Sequence, residues 1–240
     1  MTRSTRVSIH LAVLLTAFAL LAVASTQEAS AGLSISIDSG GIVGPAAEVF
    51  VTDNGLGDLE SDIGFIRVDD SLAMGAFSVV VQTGLSKPII GPGQIQLGSV
   101  TVSSDAGTLT VALSDTDFVT PELSRVDLHV GGTTDGTVSV TGYADDTPTV
   151  PAGGPAYGTK YSTGSSGEMT GAFDAALSSG LIDGGLPYSL SLVATITHTE
   201  AGQITTFSEI TFGQVPEPSS IVLAALCLAA LLGCPIRRRR

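Results

Sequence analysis

YSLSLVATITH, Tyr188 to His198, alternates apolar and polar side chains along its length. Tyr188, Leu190, Leu192, Ala194 and Ile196 share one face, with serines, threonines and Val193 on the other. A period of two predicts a strand with one buried face, because successive side chains leave a pleated sheet on opposite sides. Glu200-Ala201-Gly202 follows and predicts a turn into Gln203–Phe212, so the two stretches read as a hairpin.

The same period recurs upstream. In Gly107–Asp115 it groups Leu109, Val111 and Leu113; in Arg125–Val130 it groups Val126, Leu128 and Val130. Further strands are expected at Leu33–Ile37, Ala47–Thr52, Ile63–Val68, Ala76–Thr83, Gln94–Val102 and Gly136–Tyr143. Gln94–Val102 changes phase at Gly98-Ser99, which predicts a bulge there. About ten short strands separated by Gly, Pro, Asp and Ser turns predict an all-β fold, an antiparallel β-sandwich. A parallel α/β fold needs crossover helices of about ten residues or more. The one candidate, Ala172–Ile182, is interrupted by Ser178-Ser179-Gly180. Asp145–Gly167 has no apolar period and reads as a long flexible loop, within one domain over 32–214 or dividing two subdomains.

Composition narrows the function. Between Gly32 and Pro216 there are four basic residues (Arg67, Lys87, Arg125, Lys160) against 21 acidic ones, a net of −17. Such a body repels nucleic acid and anionic membranes, which are bound through clustered Lys and Arg. Both cysteines, Cys227 and Cys234, lie in the apolar C-terminal run. The body therefore has neither a disulfide framework nor a Cys-based zinc site.

The two ends read as addresses. Arg3 and Arg6, the apolar Leu11–Ala24, and small residues at Ala29 and Ala31 make a secretory signal peptide over 1–31, with signal peptidase cutting before Gly32. The alternative is an uncleaved anchor. At the other end, Ser219–Ile236 carries no charge over 18 residues. As a helix it would be about 27 Å long, against a hydrocarbon core of about 30 Å. Arg237, Arg238, Arg239 and Arg240 then stop transfer and hold the terminus on the cytoplasmic side. Pro216 and Pro218 keep the preceding segment extended. The expected plan is thus an N-terminal signal helix, a β domain, and a sorting signal over 215–240 with a transmembrane helix at 219–236.

Val-Pro-Glu-Pro, a short apolar helix and terminal arginines resemble the PEP-CTERM sorting signal of bacterial surface proteins. The resemblance implies that an exosortase, a multi-pass membrane enzyme of Gram-negative bacteria that make exopolysaccharide, recognises Pro216, Glu217 and Pro218. It also implies that the helix and the four arginines are discarded after transfer. Cys227, Cys234 and Pro235 depart from the usual Leu, Ala and Gly of such helices. A plain single-pass anchor is the alternative.

No catalytic signature appears in the body. His129 has polar-face parity and reads as solvated; His198 has core-face parity at a strand end and reads as a partly covered structural residue. There is no HExxH, no G-x-S-x-G elbow and no phosphate loop. Asp53, Asp58, Glu60 and Asp62 are calcium candidates, although Gly55 breaks the EF-hand order. The leading reading of that stretch is an Asn54-Gly55 turn with solvated carboxylates. A Lys–Asn cross-link would need Asn54 buried with Lys87 or Lys160. The sequence thus predicts an exported, exosortase-sorted protein of the cell surface or extracellular matrix, without a cofactor. Its role would be structural or adhesive, and the family resemblance implies a link to exopolysaccharide. A calcium- or carbohydrate-binding module is the alternative, and a secreted hydrolase comes third.

Overall fold

The computed structural model describes residues 32–68, 72–91, 93–118, 124–145, 161–182 and 187–214. The signal peptide with Ala29 and Ala31, residues 146–160 of the expected loop, Pro216, Glu217, Pro218, the segment 219–236 and Arg237–Arg240 lie outside them. The described chain forms twelve strands and no helix. They are β1 (Ser34–Asp38), β2 (Val49–Thr52), β3 (Phe65–Val68), β4 (Leu72–Met74), β5 (Phe77–Leu85) and β6 (Gln94–Ser103). After them come β7 (Gly107–Phe118), β8 (Ser124–Asp145), β9 (Tyr161–Ser165), β10 (Met169–Ile182), β11 (Tyr188–His198) and β12 (Ile204–Gln214). Every pairing is antiparallel.

Hydrogen bonds join all twelve strands into one sheet rather than two. The order is β2-β1-β7-β11-β8-β12-β6-β5-β3, with β4 beside β5 and both β9 and β10 beside β8. The sheet folds over on itself and nearly closes. Leu113 of β7 meets Gly84 of β5, where an added Cβ would lie 2.4 Å from the leucine; Phe212 of β12 covers Gly142 of β8. Between the facing layers lie Ile35, Ile37, Ile95, Leu97, Leu109, Leu113, Leu128, Leu190, Leu192 and Ile196, all fully buried. Their burial drives the fold at roughly 25 cal/mol per Å² of apolar surface removed from water.

The expected hairpin is not formed. β11 and β12 do not pair with each other; both run antiparallel to β8 along one continuous track, from Ser189↔Asp145 to Thr197↔Thr137 and on from Thr205↔Thr134 to Gln214↔Val126. The link at 199–203 is a corner at which the chain passes from one layer to the other, as strands do when they switch sheets through a bend. Gln203 holds it, accepting from the Thr199 amide at 2.6 Å and donating to the Asp135 carbonyl at 2.9 Å. Alternation specifies a strand and its buried face, not its partner, so the turn-like Glu200-Ala201-Gly202 was compatible with both.

The same corner explains why two expected strands, Arg125–Val130 and Gly136–Tyr143, are one strand of 22 residues, β8. Its glycines look like turn residues but serve close approach. A Cβ at Gly136 would sit 2.2 Å from the Thr197 carbonyl oxygen, and one at Gly132 would sit 2.3 Å from that of Thr206. The predicted bulge at Gly98-Ser99 is also displaced. β6 runs through with Ile95, Leu97, Ser99, Thr101 and Ser103 all buried. The extra residue lies opposite, on β12 between Phe207 and Ile210. The apparent phase change arises because polar residues occupy the inward face; Ser99 accepts from the Gln82 side-chain amide. Ala172–Ile182, the helical candidate, belongs to strand β10. Phe173 and Leu177 pack against the core while Ala172, Asp174 and Ala176 stay exposed, a period of two masked by small residues. Residues 161–165 of the expected long loop pair with β8 as β9.

Candidate functional site

The chain leaves the sheet toward its C-terminus from an interior strand. β12 lies between β8 and β6, and its last pairs are Gly213↔Gln94, Gly213↔Asp127 and Gln214↔Val126. Gly213 packs so closely on the Gly93 carbonyl that a Cβ would come within 2.4 Å. Glycine there lets the β5–β6 connection close over the end of β12. Pro216-Glu217-Pro218 begins two residues beyond Gln214.

Three further segments gather at this end of the sheet. One is the start of β1, where Gly32 approaches Thr116. The second is the β5–β6 connection beginning at Ser86, and the third is the β2–β3 loop, Asp53–Gly64, whose Gly64 packs on the Lys87 carbonyl. A buried polar cluster ties the β5–β6 connection to β7. Lys87 Nζ lies 3.0 Å from Asp115 Oδ2, donates to the Thr116 carbonyl and sits 3.9 Å over the Phe118 ring. Asp115 is fully buried, and it accepts from Ser86 Oγ at 2.5 Å and from the Thr116 amide at 2.7 Å. A buried ammonium is tolerated because carboxylate, carbonyl and ring all face it. The sequence signal for this cluster was slight. Lys87 is one of only four cations in the body, and nothing local pairs it with a residue 28 positions away.

The calcium candidates are used within their own loop. Asp58 accepts from the amides of Asn54 (2.9 Å), Glu60 (3.0 Å) and Arg67 (3.1 Å). Asp53 accepts from the Gly64 amide at 2.9 Å and from the Asn54 side chain at 3.0 Å. Burial raises the Asp53 pKa above its ordinary value, with the Gly64 amide opposing and the charges of Asp58 and Asp115 adding. Glu60 pairs with Arg67 at 3.1 Å, and Asp62 is exposed. Among the described residues no three carboxylates or histidines converge on a common point. Asn54 is exposed while Lys87 is engaged by Asp115, so these two are not buried together as a cross-link requires.

The histidines occupy different settings. His129 makes a surface pair with Asp174 at 3.1 Å. His198, at the opposite end of the folded sheet from the Lys87 cluster, is fully buried rather than partly covered. Its Nε2 is 2.8 Å from Thr205 Oγ1, which is 2.6 Å from Thr134 Oγ1, and its ring stacks on Phe77. Burial lowers its pKa, against an opposing pull from Asp135. Among the described residues Nδ1 has no hydrogen-bond partner.

Residues 214–240 match the PEP-CTERM protein-sorting motif, beginning at the last residue of β12. The motif marks a protein for export and for an exosortase-type processing enzyme. No curated protein matches the chain in sequence. Among solved structures, TmCBM61, determined in complex with β-1,4-galactotriose, is 13% identical at a TM-score of 0.34, covering 65% of this chain and 91% of its own. The enzymatically active domain of tailspike protein 4 of bacteriophage CBA120 is 10% identical at a TM-score of 0.33, covering 68% of this chain and 21% of its own. Likenesses at this level carry no functional argument.

Proposed function

We propose that this protein is held transiently in the inner membrane, released by an exosortase, and retained at the cell surface or in the extracellular matrix. There it has a structural or adhesive role within an exopolysaccharide layer. The carrying observation is the sorting motif at 214–240, joined without a spacer to an interior strand of the sheet. In this reading 1–31 is removed by signal peptidase, 219–236 spans the membrane as a helix, and Arg237–Arg240 stop transfer. The inward-facing polar groups of the body support a structural part: the Lys87–Asp115 and His198–Thr205–Thr134 clusters tie strand to strand.

Replacing Pro216, Glu217 and Pro218 with alanine tests the sorting step. The variant is expected to accumulate at full length in the inner membrane. Normal shortening and release of the variant would overturn the reading.

A further inference from the structure

Six large apolar side chains are exposed among the described residues: Ile42, Leu56, Leu59, Ile63, Ile89 and Ile204. Scattered singly over a surface, such residues need no explanation. Here four of the six gather at one end. Leu56, Leu59 and Ile63 stand on the β2–β3 loop and Ile89 on the β5–β6 connection, the two loops that Gly64 and the Lys87 carbonyl bring into contact. That is the end of the sheet from which Gln214 departs, since Gly213 and Gln94 pair there. Ile42 and Ile204 lie at the far end, beside Asp38 and the 199–203 corner.

Two observations say what covers these tips. The first is the length of chain beyond Gln214. Residues 215–218 are four residues, which reach at most about 14 Å when extended. The uncharged segment 219–236 begins immediately after them. On the anchoring reading of the preceding section, on which this proposal rests, a tether this short holds the tail end of the sheet against the bilayer. The second is how the loop disposes of its charge. Asp53 and Asp58 turn their carboxylates onto backbone amides and Glu60 pairs with Arg67, while Leu56 projects fully exposed between Gly55 and Gly57. Three of the loop's four acids are engaged within it and Asp62 is exposed, while Leu56, Leu59 and Ile63 point out.

We infer that this end is a membrane-facing surface, in which Leu56, Leu59, Ile63 and Ile89 enter the interface of a zwitterionic lipid leaflet while the chain awaits processing. Among the described residues no basic cluster accompanies the tips, so apolar contact rather than an anionic headgroup is the attractant.

The protein contains no tryptophan, so a single introduced indole reports one position. The test uses the full chain in phosphatidylcholine vesicles with brominated acyl chains, carrying Leu56→Trp, Ile89→Trp, Ile42→Trp or Ile204→Trp. All four sites are exposed, so none disturbs the core. At 56 and 89 the emission is expected to shift to the blue and to be quenched at least about two-fold; at 42 and 204 it should match the protein in unbrominated lipid. Indoles at 56 and 89 that stay as unquenched as those at 42 and 204, in a chain that remains with the vesicles at alkaline pH, overturn the proposal alone. A chain that washes off overturns the anchoring and the proposal together. Protection that appears only when another membrane protein is present assigns the face to that partner, and also overturns it.

Discussion

The two ends of the folded sheet are fastened by different chemistry. At the tail end an ion pair, Lys87–Asp115, closes the β5–β6 connection onto β7. At the corner end neutral groups do the same work, with His198, Thr205 and Thr134 joining β11, β12 and β8. A buried ion pair is costly to break on one side, because the remaining charge cannot be left unpaired in a low-dielectric interior. A chain of hydroxyls and an imidazole costs less to interrupt, but its stability depends on the imidazole staying neutral. The corner is therefore acid-sensitive.

Asp115→Ala should have the largest effect, a loss of about 3–5 kcal/mol in urea unfolding, because Lys87 is stranded. The double change Lys87→Met with Asp115→Leu should recover much of that loss. A double variant as unstable as the single one would show that the charges themselves, rather than their pairing, stabilise the fold. Thr205→Val removes the central hydroxyl of the corner and should cost about 1–3 kcal/mol by the same measurement. A cost equal to that of Asp115→Ala would erase the distinction between the ends.

The smallest effect is a pH slope. The folded pKa of His198 lies below 6.5, so the unfolded chain binds the proton more readily. The contribution is complete above 6.5 and is lost as pH falls from there toward the folded value. Stability should decline as pH falls below 6.5, and His198→Gln should flatten that decline relative to the native chain. Asp38 acts in a lower window. Burial raises its pKa, but the amides of Ile42, Glu48 and Gly40 outweigh this and hold it below 3.8, so its contribution is lost only as pH falls further. An identical slope in the His198 variant would remove the acid-sensitive corner from the account.

The strands were legible in the sequence wherever Leu, Val and Ile marked the buried face. Val111 and Leu113, or Leu190 and Leu192, state their own parity. The pairing was not legible. The corner was hidden because Gly131-Gly132 and Asp135-Gly136 resemble turns, whereas Gly132 and Gly136 allow strands to approach across a bend. β10 was hidden because alanine, serine and glycine blur a period of two. The sorting motif was legible because its function lies in a linear order of prolines, apolar residues and arginines that needs no fold. The Lys87–Asp115 cluster was not, since its partners come from distant strands and only the folded sheet brings them together.

The central claim is release by cutting at the Pro216-Glu217-Pro218 strip, and the intact mass of the released protein tests it most directly. The account predicts a chain that begins at Gly32 and ends near residue 218, and that takes up no maleimide because Cys227 and Cys234 have left with the tail. A released protein that retains residues 219–240 and labels at both cysteines would contradict it.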